Sequence, residues 1–325
     1  VGDVVMEQRR VGGSDVRLSV VGLGGASLGQ DPEDQEQVAR TLEVLRSAAD
    51  AGMNWVDTSE NYFDTGNEAV IGAALRELSA SFLICTKVAP GEALSGGGSG
   101  FRPEQIRAAC EASLRRLDRE HLDIYLLHWP DESGVPLEDT WAAMAGLVDD
   151  GLVRAIGLSN YERDDIARCH EERPVDVIET GLSILDYLDD RELITWCGEH
   201  GIAVTIYEPL AGGLLSDAPF EQVRDKWLGT AWEDSAWFTR LFSTDNAQRT
   251  KHVVDGLRDI ATRLGVTVAQ VALAWVLRQP GVTSALAGSG DPGRTRANAG
   301  AADVELTSDA MHAIDELIRH GPAFA

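Results

Sequence analysis

No apolar run in the sequence approaches the roughly 20 residues that a membrane-spanning helix needs. Val1 to Arg10 also lack the basic-then-apolar order of a secretion signal. Positive charge is scarce: 28 Lys and Arg stand against 53 Asp and Glu, a net charge of −25. Such a surface repels phosphate backbones and anionic lipid, which excludes a general nucleic-acid binder and a membrane-surface protein. Cysteine is sparse too. Cys85, Cys110, Cys169 and Cys197 form no C-x-x-C pair and no His/Cys ladder, so neither a disulfide framework nor a metal site is indicated. Adjacent Cys169 and His170 would point about 100° apart on a helix, a poor start for a ligand pair. The chain reads as soluble and cytoplasmic, with Met6 a candidate start behind Val1 to Val5. What is present is globular: 325 residues, 44% hydrophobic and 25% charged, enough for two domains or one large barrel.

Short β-branched apolar runs alternate with longer helical stretches. The strand candidates are Val20 to Leu23, Asn54 to Asp57, Phe82 to Val88, Leu122 to Leu127, Val153 to Leu158, Val175 to Thr180, Ala203 to Tyr207 and Ser284 to Ala287. Helices are expected near 32–51, 67–78, 103–117, 137–150, 162–171, 190–200, 245–264 and 268–279. Asp31-Pro32 and Asp291-Pro292 read as capped helix starts, and Gly52, Gly151 and Gly201 as left-handed stops. Strict alternation at this length predicts a single (β/α)8 TIM barrel domain over 1–325, with its active site at the C-terminal face of the strands. Residues 1–17 form an N-terminal extension, with a hairpin expected from Val5 to Arg17 where it can plug the barrel bottom. Ala93 to Gly100 is a glycine-rich loop. The aromatic stretch 211–244 has no clear helical period and is expected as a loop over the barrel mouth.

Reactive residues of a barrel come from the C-terminal strand ends, and there stand Asp57 and Tyr62, Lys87, and His128. A lysine inside the apolar strand Ile84 to Val88 needs a partner, which Asp57 can supply. The cation would lower the pKa of a nearby phenol, making Tyr62 a readier proton donor to a carbonyl oxygen that His128 orients. Singly, each residue has a structural explanation: a packed tyrosine, a core histidine, a capping aspartate. Their joint placement at three successive strand ends points instead to carbonyl chemistry with a hydride arriving from the other face.

Over nearly its whole length the chain resembles the aldo-keto reductase family. The matching motifs are Val21 to Gly25 (VGLGG), Gly52 to Tyr62 (GMNWVDTSENY), Leu122 to Asp131 (LDIYLLHWPD) and Ala155 to Asn160 (AIGLSN). The resemblance implies Tyr62 as general acid/base, Lys87 and Asp57 tuning it, and His128 positioning the carbonyl. It further implies an extended nicotinamide dinucleotide, usually NADP with NAD possible, bound without a Rossmann fingerprint. The sequence agrees, since the glycines from Gly22 onward lack G-x-G-x-x-G spacing. By the same resemblance Ser159 and Asn160 hold the carboxamide, Tyr207 stacks on the nicotinamide, and Pro209 and Leu210 run beside the pyrophosphate. Gly25, Ala26, Gly288, Ser289, Arg294 and Asn298 complete the cofactor surface, Arg294 at the phosphate end of a helix starting at Pro292.

Three positions depart from the family pattern. Glu179 stands where many members have a glutamine against the carboxamide, Glu208 where a small hydroxyl residue is usual, and Gly288 where phosphate-selective members carry lysine. A negative Glu179 would favour the oxidised, cationic nicotinamide. The expected activity is an NAD(P)-dependent oxidoreductase acting on a small-molecule aldehyde, ketone or sugar. An aldose or sugar dehydrogenase working in the oxidising direction is the alternative, and a cofactor-sensing regulatory subunit of an ion channel is the alternative of another class.

Overall fold

The computed structural model describes residues 5–91, 98–186, 191–230 and 233–322. An antiparallel hairpin, β1 (Gln8–Arg10) and β2 (Arg17–Ser19), comes first. Eight parallel strands follow: β3 (Val21–Gly24), β4 (Trp55–Asp57), β5 (Leu83–Val88), β6 (Leu122–Leu127), β7 (Val153–Ser159), β8 (Val177–Gly181), β9 (Ala203–Tyr207) and β10 (Val282–Gly288). Pairing of β10 with β3 closes the ring into a (β/α)8 barrel. Between strands run α1 (Gln35–Asp50), α2 (Gly66–Arg76), α3 (Pro103–Leu117), α4 (Leu137–Asp149), α5 (Arg163–Glu172) and α6 (Arg191–Glu199). Four helices, α7 (Phe220–Trp227), α8 (Ala236–Phe242), α9 (Ala247–Leu264) and α10 (Val268–Leu277), separate β9 from β10. The chain ends with α11 (Pro292–Ala299) and α12 (Ser308–Arg319).

Period-two alternation splits each strand between two cores. Inward-facing Trp55, Cys85, Ile124, Leu126, Ala155, Val177, Ala203 and Leu286 fill the barrel, while outward-facing residues pack under the helices. Gly22 exists for Trp55: a Cβ there would sit 2.1 Å from the indole. Val11, Val16 and Leu18 of the hairpin are wholly buried in the inner cluster, so the hairpin plugs the barrel bottom as its sequence suggests.

Two expectations are corrected. Helix α1 starts at Gln35 with Asp34 as its cap, accepting from Glu36 N and Gln37 N, whereas Asp31 turns the chain through a bond from Glu33 N. The aromatic stretch holds two short helices, α7 and α8, whose rings pack on one another: Trp227 on Trp237 at 5.5 Å, Phe238 on Phe242 at 4.6 Å. Trp232, and Ala93 to Gly97 of the glycine-rich loop, lie outside the described residues. Gly52, Gly151 and Gly201 adopt the expected positive φ, at 84°, 73° and 73°. Among the described residues no single helix is long and apolar enough to cross a membrane.

Candidate active site

The alternation that fills the barrel also builds its upper rim. Two residues beyond the inner-facing Trp55, Cys85, Leu126 and Val177 come Asp57, Lys87, His128 and Glu179, so one layer of polar groups caps the apolar core. Registers Asp57↔Cys85 and Val88↔Leu127 set β4, β5 and β6 side by side. Tyr62 is carried by the loop after β4. Bonds from Thr58 N to Cys85 O (2.9 Å) and Glu60 N to Lys87 O (3.2 Å) hold that loop against β5. The Glu60 carboxylate accepts from Ala89 N and from Ser99 N and Oγ, fixing the loop from the other side. Phe63, Asp64 and Thr65 all have positive φ, a sharp reversal that delivers the chain into α2 directly behind Tyr62.

Lys87 is fully buried, and its three ammonium protons meet three acceptors: Asp57 Oδ1 at 2.5 Å, Thr58 O at 3.0 Å and Glu179 Oε1 at 3.2 Å. Burial alone would lower its pKa, but Asp57 and Glu179 hold it well above the ordinary lysine value, so it is a permanent cation. Asp57 is pushed upward by burial against the pull of Lys87. Glu179 is raised to about 7, by burial first and by the Asp57 charge second, while Lys87 opposes the shift. Asp57, Cys85 and Glu179 lie close enough to share a metal ion. The Lys87 ammonium, bonded to both carboxylates, already supplies the positive charge such an ion would bring.

The Lys87 nitrogen lies 5.4 Å from the Tyr62 ring centroid. The phenol is nonetheless held above its usual range: burial raises it, Asp57 and Glu179 raise it further, and the Lys87 charge offsets them only in part. That corrects the expectation of a phenol more acidic than a free one. His128 is buried, stacked on Trp129 at 3.5 Å, with its ring edge-on to Tyr62 at 5.8 Å. Burial, and then Lys87, lower its pKa to about 2, so the imidazole is neutral at any working pH. Its Nδ1 lies 2.9 Å from Ser59 Oγ.

The residues expected to hold the nicotinamide gather on the same rim. Asn160, at φ 64°, donates through Nδ2 to His128 O and Ser159 Oγ, and its Oδ1 accepts from the Tyr207 hydroxyl at 2.6 Å. Gly181 leaves room for the Tyr207 ring, which a Cβ would approach to 3.1 Å. Glu179 turns toward Lys87 and Thr205 Oγ1. Pro209 is buried and Leu210 half-buried beyond Glu208, itself exposed at φ 51°.

Around the rim, Ser27 at the end of the turn Gly25–Ser27, α1, the loop after β10 and the start of α11 border a cleft of about 290 Å³, lined by Gln37, Arg40, Gly290 and Arg294 among others. Arg40 Nε donates to Gly290 O at 3.3 Å, and Arg294 is largely exposed. The start of α11 is less open than its sequence implies, because Asp291 Oδ1 already accepts from Arg294 N at 2.7 Å. Gly288 is exposed at the end of β10, Ser289 Oγ bonds to Asp291 N and O, and Asn298 is buried within α11. A two-arginine cleft on so acidic a protein, at the same end of the barrel as the amide and aromatic groups of the rim, fits an extended dinucleotide. Arg40 beside the cleft, Ser59 beside His128 and the Glu179–Lys87 contact carry no local signal in the sequence.

A closed parallel barrel with a lysine, aspartate, tyrosine and histidine joined at its C-terminal mouth defines a class of barrel enzymes. The chain belongs to the aldo/keto reductase family, whose sequence model matches residues 20–319. It is 30% identical over 318 residues to the NADH-specific methylglyoxal reductase of Escherichia coli (strain K12), covering 93% of this chain and 95% of that protein. The structure of a glycerol dehydrogenase from Gluconobacter oxydans superposes with a TM-score of 0.85 at 26% identity, covering 98% of this chain and 97% of that one. An aldo/keto reductase from Klebsiella pneumoniae, solved with NADP and acetate, superposes with a TM-score of 0.72 at 28% identity, covering 99% and 97%.

Proposed function

We propose that this protein interconverts a small hydroxylated carbonyl compound and its alcohol with a nicotinamide cofactor, using Tyr62 as the general acid and base. The observation that carries this reading is Lys87: a fully buried ammonium held at 2.5 Å by Asp57 and facing the Tyr62 ring. A bound cofactor supplies the hydride in reduction and accepts it in oxidation. The Tyr62 hydroxyl gives its proton to the carbonyl oxygen in the first direction and takes it back in the second. Lys87 stabilises the phenolate left behind, which matters most in a site where burial disfavours that anion. His128, neutral, binds the same oxygen. Ser159, Asn160 and Glu179 would face the carboxamide, and Tyr207 the ring.

Arg40 and Arg294 support NADP, since two cations at one cleft suit a 2′-phosphate. NAD would bind the same surface without that contact. The curated relative reduces methylglyoxal and the structural one is a glycerol dehydrogenase, both named for three-carbon oxygenated substrates. The contact between Glu179 and Lys87 favours a second reading, an alcohol or sugar dehydrogenase: once Glu179 is ionised, two carboxylates against one ammonium leave net negative charge where a cationic oxidised ring would lie.

The test is a fluorescence titration with NADPH and NADH, followed by a panel of small aldehydes, ketones, polyols and sugars read in both directions. Cofactor binding with turnover of at least one carbonyl/alcohol pair supports the proposal. Binding of neither cofactor overturns it.

A further inference from the structure

Asn61, Ser59 and His128 form a line of buried hydrogen bonds beside the phenol. Ser59 Oγ lies 2.6 Å from Asn61 Oδ1 and 2.9 Å from His128 Nδ1, while the third neighbour, Lys87 O, is distant at 3.5 Å. Asn61 Nδ2 is buried without a hydrogen-bond partner among the described residues. A serine hydroxyl has one proton, and because Lys87 O at 3.5 Å lies beyond the roughly 2.5–3.0 Å of an O–H···O bond, that proton goes to Asn61 or to His128. If Ser59 donates to the Asn61 oxygen, it must accept from Nδ1–H of His128. The imidazole then shows a bare Nε2 to the substrate, and the Asn61 amino group stays orphaned. If the Asn61 amide is reversed, its NH2 donates to Ser59 Oγ and the Ser59 proton goes to Nδ1. His128 then carries its hydrogen on Nε2. The two amide orientations have the same shape, and the hydrogen-bond network chooses between them. A buried orphan N–H is the more costly defect, because a carbonyl oxygen left without a donor is better tolerated.

We infer that Asn61 and Ser59 are positioning residues that hold His128 as its Nε2–H tautomer, so that it presents a hydrogen-bond donor to the substrate oxygen. The inference rests on the proposed carbonyl chemistry for its consequence but on the hydrogen-bond geometry for its substance. Because burial and Lys87 keep the ring neutral, the tautomer, and not a charge, decides whether His128 can bind a carbonyl or alkoxide oxygen.

The experiment is long-range ¹H–¹⁵N correlation on protein labelled with ¹⁵N-histidine, the His128 signals assigned by their loss in His128→Phe. The intact protein is expected to show His128 as the Nε2–H tautomer. Ser59→Thr keeps a hydroxyl and should keep that tautomer. Ser59→Ala should release it, and Asn61→Asp, whose carboxylate can only accept the Ser59 proton, should reverse it to Nδ1–H. In turnover, Ser59→Ala and Asn61→Asp should lower kcat about tenfold or more with cofactor affinity unchanged, and Ser59→Thr should retain most of it. An Nδ1–H tautomer in the intact protein, or a His128 spectrum indifferent to Ser59→Ala and Asn61→Asp, overturns the inference. Tautomer shifts as described in a protein that turns over no carbonyl or alcohol would uphold the relay and defeat the catalytic reading.

Discussion

Glu179 Oε1 stands 3.2 Å from Lys87 Nζ, which Asp57 Oδ1 also contacts, so that one buried ammonium serves two carboxylates. Both acids sit where the strand alternation puts them, each two residues above an apolar neighbour in the barrel interior. The charge balance of the site therefore depends on the proton of Glu179, which titrates near 7.

Between pH 4.5 and 7 the folded protein retains a proton on Glu179 that the unfolded chain has lost, so stability falls as pH rises through that window and levels above it. Glu179→Gln removes this dependence. Thermal unfolding of the two proteins should diverge with pH, the variant gaining about 1–3 kcal/mol relative to the parent by pH 8. The same substitution should shift the ratio of oxidation to reduction toward reduction, measured with one substrate pair in both directions.

Lys87→Met leaves Asp57 and Glu179 buried without their cation. Breaking such a pair costs about 3–5 kcal/mol, and a fall in Tm of about 4–7 °C is expected. Adding Glu179→Gln should recover part of the loss, since one stranded carboxylate disappears. Differential scanning calorimetry of the single and double variants measures that coupling directly.

Arg40 on α1 and Arg294 in the first turn of α11 border one cleft. Replacing either by alanine should weaken NADPH binding about tenfold and leave NADH binding within about twofold, read by cofactor fluorescence. Equal losses for both cofactors would mean that the cleft does not hold a 2′-phosphate.

The strands were legible because a parallel barrel buries each on both faces, leaving continuous β-branched runs such as Ile84 to Val88. The convergence of Asp57, Tyr62, Lys87 and His128 was legible too, since all follow or end strands. Helices α7 and α8 were not: at eight and seven residues, set off by Pro219 and Gly229, they are too short to display a 3.6-residue period. Arg40 lies on a helix whose surface carries other charged residues, and nothing local sets it apart. Ser59 and His128 meet only through the barrel's curvature. Glu179 stands out in the sequence as a departure from the family pattern, but its partner does not, because the inward parity it shares with Lys87 follows from Cys85 and Val177 lying inside the barrel. The raised pKa of Tyr62 is hidden in the sequence for a related reason: burial, with two carboxylates beside it, outweighs one lysine.

The central claim is tested most directly by comparing Tyr62→Phe with the parent protein in single turnover, following the absorbance of the reduced nicotinamide with a substrate from the active panel. Loss of one hydroxyl should leave Tm and cofactor affinity unchanged and slow the hydride step by about 10²–10⁴-fold. A hydride step that survives Tyr62→Phe at near-parental rate would contradict the account, and would place the proton donor elsewhere on the rim.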